Sequence, residues 1–304
     1  MDIRSAIRFA IEKFREKGMT SASLDAEVLL LESLNVGRKN KRDRSWMYLN
    51  LEGYNLSPEE EKRFKNFVSR REKYEPVAYI IGKKEFYGLD FLVNKNVLIP
   101  RPETEMIVTE VLKLIKDSKD AFTLMDIGTG SGCIPVSILK TAIANSSSNK
   151  LGKTYADDIS NKALDIAQKN ARRHKVKSKI SFLSMDLEDA LEKIRSAKRL
   201  IITANLPYVS PENYEKLAAN VKSYEPKIAL TTKDNGLYHI RRLIRKFAEI
   251  KNDTSSYNIF LEADPKQMKR IASIAKKELP EAYIETVKDL RGKKRIIKIW
   301  NSEF

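Results

Sequence analysis

Asp126-Ile127-Gly128-Thr129-Gly130-Ser131-Gly132 separates an apolar run from a helix-forming run, and the reading of this stretch decides the fold. Glycine at alternate positions lets the backbone turn tightly and approach a ligand with no Cβ in the way. On its amino side, 123–126 reads as a buried strand; on its carboxyl side, a helix follows Gly132. Working outward, strands are expected at 153–156, 180–183, 200–204 and 257–262, with helices starting at Ser160 and spanning 236–250. Strand and helix in alternation imply a parallel sheet covered on both faces. A helix over 266–277 and two strands, 283–287 and 294–300, turning near Gly292, finish the chain. That terminal hairpin is absent from a plain dinucleotide fold, whose fingerprint would also want glycine where Cys133 stands.

The region before this alternation has a different character. Ile3, Ile7, Ala10, Ile11 and Phe14 fall at helical spacing, as do Leu24, Val28, Leu31 and Leu34. Ser57-Pro58-Glu59-Glu60 reads as a capping box with proline at the first helical position, opening a third helix that turns Phe64, Phe67 and Val68 inward. Short β-prone pieces between Tyr79 and Pro100, punctuated by Gly82 and Gly88, suggest a hairpin. The expected organisation is therefore a small helical domain over 1–75, a β-hairpin linker over 76–100 and an α/β domain over 101–304.

Composition narrows the function classes. One cysteine, Cys133, and two histidines, His174 and His239, provide neither a disulfide framework nor a structural zinc site, so no metal is expected and a reducing cytoplasm fits. The start of the chain has no signal-peptide pattern, no run is long enough to span a bilayer, and a monomer is expected. The net charge of +16 attracts phosphate in general. Residues 1–80 hold 16 basic and 13 acidic side chains, so the surplus lies beyond them, with short clusters at Arg172-Arg173-His174-Lys175 and Lys293-Lys294-Arg295. A lysine-rich solvated surface is favoured over a dedicated nucleic-acid groove, and proximity to ribosomal RNA is compatible with this charge.

Three acids and one tetrapeptide carry the chemistry. Asp126 opens the glycine loop, in which Gly128, Thr129, Gly130 and Gly132 are the candidate cofactor contacts. Asp158 ends the next strand, where a carboxylate can accept hydrogen bonds from both ribose hydroxyls of an adenosine; Asp157 competes for that role, and either could instead cap the helix beginning near Ser160. Asp186 follows the strand 180–183 closely enough to reach an adenine amino group. The strand 200–204 then delivers Asn205-Leu206-Pro207-Tyr208 to the carboxyl edge of the sheet. A planar amide or exocyclic amine is a poor nucleophile because its lone pair is delocalised, so its two N–H bonds need acceptors. The Asn205 side-chain oxygen and the Leu206 carbonyl can supply them, Pro207 fixes the backbone, and Tyr208 can pack against the planar group.

The glycine loop resembles the cofactor loop of class I methyltransferases, and nearly the whole chain resembles the HemK/PrmC family of protein-glutamine methyltransferases. The resemblance runs through Leu24-Asp25-Ala26-Glu27, Pro76-Val77-Ala78-Tyr79-Ile80-Ile81-Gly82, Glu85-Phe86, Ile99-Pro100-Arg101-Pro102-Glu103-Thr104-Glu105, Tyr224-Glu225-Pro226 and Asn235-Gly236-Leu237. It implies a seven-stranded Rossmann-like methyltransferase domain preceded by a small helical domain to which it assigns substrate recognition, S-adenosyl-L-methionine as cofactor, and the glutamine of the Gly-Gly-Gln motif in class 1 peptide chain release factors as substrate. It also implies that Arg101, Pro102, Glu103, Thr104 and Glu105 help form the cofactor and substrate pocket. Asn205, Pro207 and Tyr208 are then the catalytic candidates. Arg101 and Glu103 join the tetrapeptide as substrate contacts, while Arg101, Pro102, Thr104 and Asn205 join the cofactor contacts. Leu206 departs from the family's usual proline. Asn-Leu-Pro-Tyr also resembles the tetrapeptide of adenine-N6 methyltransferases acting on ribosomal RNA, and a related family methylates a ribosomal protein on glutamine, so both alternatives stay open on the tetrapeptide alone.

Overall fold

The computed structural model describes residues 1–301. Two compact units emerge, Met1–Gly82 with Ala218–Tyr224, and the rest of the chain. The division at residue 82 replaces the expected boundaries at 75 and 100. Val77–Ile81 is a helical turn ended by left-handed Gly82 (φ +75°), and it completes the first unit instead of starting a linker. The β-branched and aromatic residues there favour strand locally, but Ile80 is buried in the helical core, and packing overrides the local preference.

Helices Ile3–Glu16, Ala22–Asn35 and Pro58–Glu72 bury Ile3, Phe14, Leu29, Leu30, Phe64 and Val68 against one another. The capping box forms with both halves in place: Ser57 Oγ accepts from the Glu60 amide at 3.2 Å and Glu60 Oε2 from the Ser57 amide at 2.9 Å. The second helix exists as expected, but its buried face is rotated from the expected stripe, of which Leu34 is buried and Val28 and Leu31 half-buried. Leu24 is 55% exposed, while Ala22, Ala26, Leu29 and Leu30 are buried. Three consecutive leucines give that helix no single apolar stripe, so its neighbours choose the face. They also bury Asp25, whose carboxylate accepts from Arg71 Nε at 2.9 Å and from Ser21 Oγ at 2.8 Å. Segment 218–224 belongs to this unit, and the Tyr224 hydroxyl donates to the Lys73 carbonyl at 2.7 Å.

The second unit begins with strands β1 (Lys83–Phe86) and β2 (Leu89–Leu92), an antiparallel hairpin closed by Tyr87 and Gly88 at positive φ. Phe86 and Phe91 are buried in the core of this unit, so the hairpin is part of it. The main sheet contains β3 (Phe122–Ile127), β4 (Leu151–Asp157), β5 (Ile180–Leu183), β6 (Arg199–Ala204), β7 (Ser256–Glu262), β8 (Tyr283–Lys288) and β9 (Lys294–Trp300). Its order is β5-β4-β3-β6-β7-β9-β8, with the first five strands parallel and β9 antiparallel to both its neighbours. This is the seven-stranded α/β fold expected. Helices Glu105–Asp117 and Cys133–Ala144 cover one face, and Tyr238–Ile250 and Met268–Glu278 the other. The direction of winding reverses between β3 and β6, where open α/β sheets bind ligands. Among the described residues, no helix is long and apolar enough to cross a membrane.

Arg71→Ala strands the buried Asp25 carboxylate and is expected to lower the stability of the helical unit by about 3–5 kcal/mol. Replacing both residues with leucine should recover most of that loss. Urea unfolding followed by Trp46 fluorescence in a Trp300→Phe background measures both.

Candidate functional site

Four loops at the carboxyl ends of β3, β4, β5 and β6 surround one cleft. After β3 the backbone passes through Gly128, Gly130 and Gly132, all at positive φ, before helix Cys133–Ala144. A side chain at Gly132 would be strained, since φ is +77° and a Cβ there would sit 3.1 Å from Ala167 Cβ and 3.2 Å from its Cα. At Gly130 the same position faces open space within the cleft.

Asp158, just beyond β4, fixes the loop from outside. Its Oδ2 accepts from the Gly130 amide at 2.9 Å and its Oδ1 from the Ser160 amide at 2.8 Å. Asp157 is buried, and its Oδ1 has no hydrogen-bond partner, nor does Thr129 Oγ1. Asp126 lies beneath the cleft wall, with Oδ1 accepting from Thr203 Oγ1 at 2.6 Å and Oδ2 unpartnered. Burial pushes the Asp126 carboxyl up to about 7, against the pull of that hydrogen bond. Burial, reinforced by the charges of Asp126 and Asp158, pushes Asp157 up to about 8. Asp158 is also raised by burial. For Asp186 burial acts upward too, but pairing with Arg242 prevails and holds it below the ordinary range. Arg242 is shared with Glu188 at 2.8 Å.

The Asn205 end of the cleft is built from side chains distant in sequence. Asn205 Nδ2 donates to Thr104 Oγ1 at 3.0 Å, and Thr104 Oγ1 donates to Glu262 Oε2 at 2.6 Å. Among the described residues, no hydrogen bond is made to Asn205 Oδ1 or to the Leu206 carbonyl. The Leu206 side chain is buried, with Cδ2 against Gly128. The tetrapeptide is braced from behind by Gln267, whose Nε2 donates to the carbonyls of Tyr208 at 2.9 Å and Asn235 at 2.8 Å. This holds the Tyr208 carbonyl so close to Gly236 that a Cβ there would stand 1.9 Å away, which is why glycine follows Asn235. Arg101 lines the cleft and donates to Glu225 Oε1 at 2.7 Å, while Glu225 Oε2 accepts from the Ile99 amide at 3.1 Å.

The cleft wall thus gathers Arg101, Thr104, Gly128, Thr129, Gly130, Asp157, Asp158, Asp186, Asn205, Leu206 and Pro207 from the sequence-derived candidates. Pro102, Glu103, Asp126, Gly132 and Tyr208 do not reach it. Glu103 faces Arg295 of β9 at 3.7 Å, and the Tyr208 hydroxyl donates to Glu262 Oε1 at 3.4 Å instead of being left for a planar ligand. Glu105, from the same segment, accepts from the Tyr87 amide at 2.9 Å. A short helical turn, Pro102–Thr104, explains this splitting, because successive side chains point in different directions and only Arg101 and Thr104 face inward. Sequence reasoning missed Glu262 and Gln267, which lie at and beyond the end of β7, and Asn170. Asn170 is buried in the last turn of helix Asn161–Arg173, accepts from the Leu92 amide at 2.7 Å and donates to the Ser131 carbonyl at 2.8 Å, so it ties the hairpin to the glycine loop. An uncharged polar residue in the middle of an apolar helix face was the available signal.

Residues 5–82 match the PrmC N-terminal domain family, and residues 101–237 match the family described as ribosomal protein L11 methyltransferase (PrmA). A release factor glutamine methyltransferase of Rhodopirellula baltica is 34% identical over 300 residues, covering 96% of this chain and 94% of that one. The enzyme of the same name from Koribacter versatilis is 36% identical over 243 residues, 80% of each chain. Among solved structures, the hMettl16 catalytic domain in complex with the MAT2A 3′UTR hairpin 6 superposes with a TM-score of 0.52 at 16% identity, covering 76% of this chain and 84% of that one, a likeness of fold. With an amino-terminal domain of the PrmC type, a seven-stranded methyltransferase fold and near full-length similarity to such enzymes, the chain belongs to the release factor glutamine methyltransferase family.

Proposed function

We propose that this protein transfers a methyl group from S-adenosyl-L-methionine to the side-chain amide nitrogen of the glutamine in the Gly-Gly-Gln motif of class 1 peptide chain release factors. One observation carries the reading: the Asn205 amide is anchored through its NH2 end, and neither its Oδ1 nor the carbonyl of the adjacent Leu206, both residues of the cleft wall, has a hydrogen-bond partner among the described residues. Two acceptors at adjacent positions suit a primary amide, whose nitrogen carries two N–H bonds. The side chain at 206 is turned onto Gly128, so leucine in place of proline leaves the backbone acceptor in its role.

The donor set of the cleft fits the cofactor. Alternating glycines leave backbone room, partly buried carboxylates favour a cationic ligand, and Asp157 Oδ1 and Thr129 Oγ1 are buried polar atoms still lacking partners. Bound there, S-adenosyl-L-methionine supplies a methyl group activated by a sulfonium centre. Asp158 is the residue proposed to hold the ribose, because it is less deeply buried than Asp157 and its carboxylate is aimed by the Gly130 and Ser160 amides. Asp186 is assigned to the adenine end. On the substrate side, Asn205 and Leu206 orient the amide, while Val97, Leu98, Pro207 and Ile228 exclude water around it. The helical unit, 1–82, is proposed to recognise the release factor, and the acceptor is a protein amide rather than a nucleobase.

Incubating the protein with labelled cofactor and either a purified release factor or ribosomal RNA, then mapping the product by mass spectrometry, tests this. Methyl groups are expected on the Gly-Gly-Gln glutamine; label confined to RNA overturns the reading. Asn205→Ala should lower kcat by about 10²–10³-fold, as for removal of one preorganised hydrogen-bonding group, while S-adenosylhomocysteine affinity measured by calorimetry changes little.

The acids also set a pH dependence. In the unfolded chain Asp126 ionises near 4, whereas in the native protein it keeps its proton until about 7. Between those values the native state binds more protons, so this group's contribution to stability declines as pH rises. Asp126→Asn removes that loss. The variant is expected to gain stability relative to the parent at pH 8 and to gain none at pH 4, measured by thermal unfolding without cofactor.

A further inference from the structure

Thr104 stands between two groups and has one hydroxyl proton to give. That proton goes to Glu262 Oε2 at 2.6 Å, so Thr104 Oγ1 can only accept from Asn205, which it does from Nδ2 at 3.0 Å. Thr104 and Glu262 are each 2% exposed, so water does not take over either bond. The direction of these hydrogen bonds fixes which end of the Asn205 amide faces the cleft. If Glu262 were protonated, it could donate to Thr104, Thr104 could donate to Asn205 Oδ1, and the amide would turn over. An NH2 group would then face the N–H bonds of the incoming amide, where an acceptor is needed.

We propose that Glu262 and Thr104 are positioning residues that set the acceptor polarity of Asn205, so that methyl transfer requires the ionised form of Glu262. The inference rests on the reading of Asn205 as the acceptor for the substrate amide. It gives Thr104 a different task from direct cofactor contact, and it gives a role to a buried carboxylate that does not line the cleft.

The groups around Glu262 place its titration in a useful range. Burial pushes its carboxyl up to about 7, the charge of Glu103 acts in the same direction, and the hydroxyls of Thr104 and Tyr208 with the Arg295 guanidinium oppose them. Tyr208 donates to Oε1 at 3.4 Å, and Arg295 is itself paired with Asp289 at 3.2 Å. The Cys133 thiol, which burial pushes up to about 12, also feels the Glu262 charge and remains protonated throughout. Glu262 is therefore ionised above about pH 7 and becomes neutral as pH falls through that value.

The test uses the full chain, a release factor and saturating labelled S-adenosyl-L-methionine, so that kcat reports the ternary complex and not cofactor affinity. The wild-type rate is expected to fall from pH 8 to pH 5.5, approaching about tenfold per pH unit, the limiting slope for one proton. Glu262→Gln can still accept from Thr104 through its amide oxygen; it should retain measurable activity with no such fall. Thr104→Val should lower kcat by about 10²-fold with KM for the cofactor within about twofold of wild type, as expected for a group acting on Asn205 alone. Thr104→Ser, which keeps the hydroxyl, should recover most of the rate. Retained calorimetric binding of S-adenosylhomocysteine qualifies each variant as folded. A pH profile unchanged in Glu262→Gln, or full activity in Thr104→Val, overturns the relay while wild-type methylation of the release factor stands. If Glu262→Gln does not fold, the Thr104→Val and Thr104→Ser pair decides. Failure of the wild type to methylate the glutamine overturns the underlying reading of the site, and the relay with it.

Discussion

The pairing of β3 with β6 is the constraint on which the remainder of the site depends. The two strands run parallel with Asp126 level with Thr203 and Ile127 level with Ala204, and both end there. Parallel neighbours must present their carboxyl ends on the same edge. The glycine loop and the Asn205 tetrapeptide therefore leave the sheet side by side, close enough for Leu206 to pack on Gly128. The Thr203 to Asp126 hydrogen bond ties the two strand ends inside the protein and satisfies one of the two oxygens of that buried carboxyl group. A one-residue shift between the strands would move the tetrapeptide relative to the loop and dissolve the cleft.

That arrangement concentrates carboxylates where they are individually unfavourable. Asp126 and Asp157 are buried and Asp158 largely so; all three have raised pKa values, two of them into the physiological range. A fold selected for stability alone would not gather them. Perturbed carboxylates gathered in a cleft are more frequent at functional sites than in cores built for packing.

The opposite end of the cleft relies on neutral and charged braces brought from far along the chain. Glu262 reaches Thr104 across 158 positions, Asn205 reaches Thr104 across 101, and Glu225 reaches Arg101 across 124. The Thr104 brace engages the Nδ2 end of Asn205, and Glu225 is engaged through both its oxygens, by Arg101 and by the Ile99 amide. Such pre-orientation lowers the reorganisation needed when a substrate arrives, and it explains why the Arg101–Glu105 segment divides its side chains among the cleft, β9 and the hairpin.

Local patterns in the sequence were sufficient for the seven-stranded α/β fold, the helical amino-terminal region, the capping box at Ser57 and the glycine loop, because strand and helix periods and turn chemistry depend on near neighbours. The tetrapeptide was legible for the same reason: its strand delivers it to a predictable edge. Tertiary structure alone decided which face of helix Ala22–Asn35 is buried, since three consecutive leucines offer no preference, and that Val77–Ile81 is helical despite its β-prone residues. It also decided that Glu103 and Tyr208 turn away from the cleft while Glu262, Gln267 and Asn170 support it. Hydrogen-bond partners separated by dozens to more than a hundred residues leave no periodic trace in a single sequence; only the folded chain brings their atoms within three ångströms and gives each bond its direction.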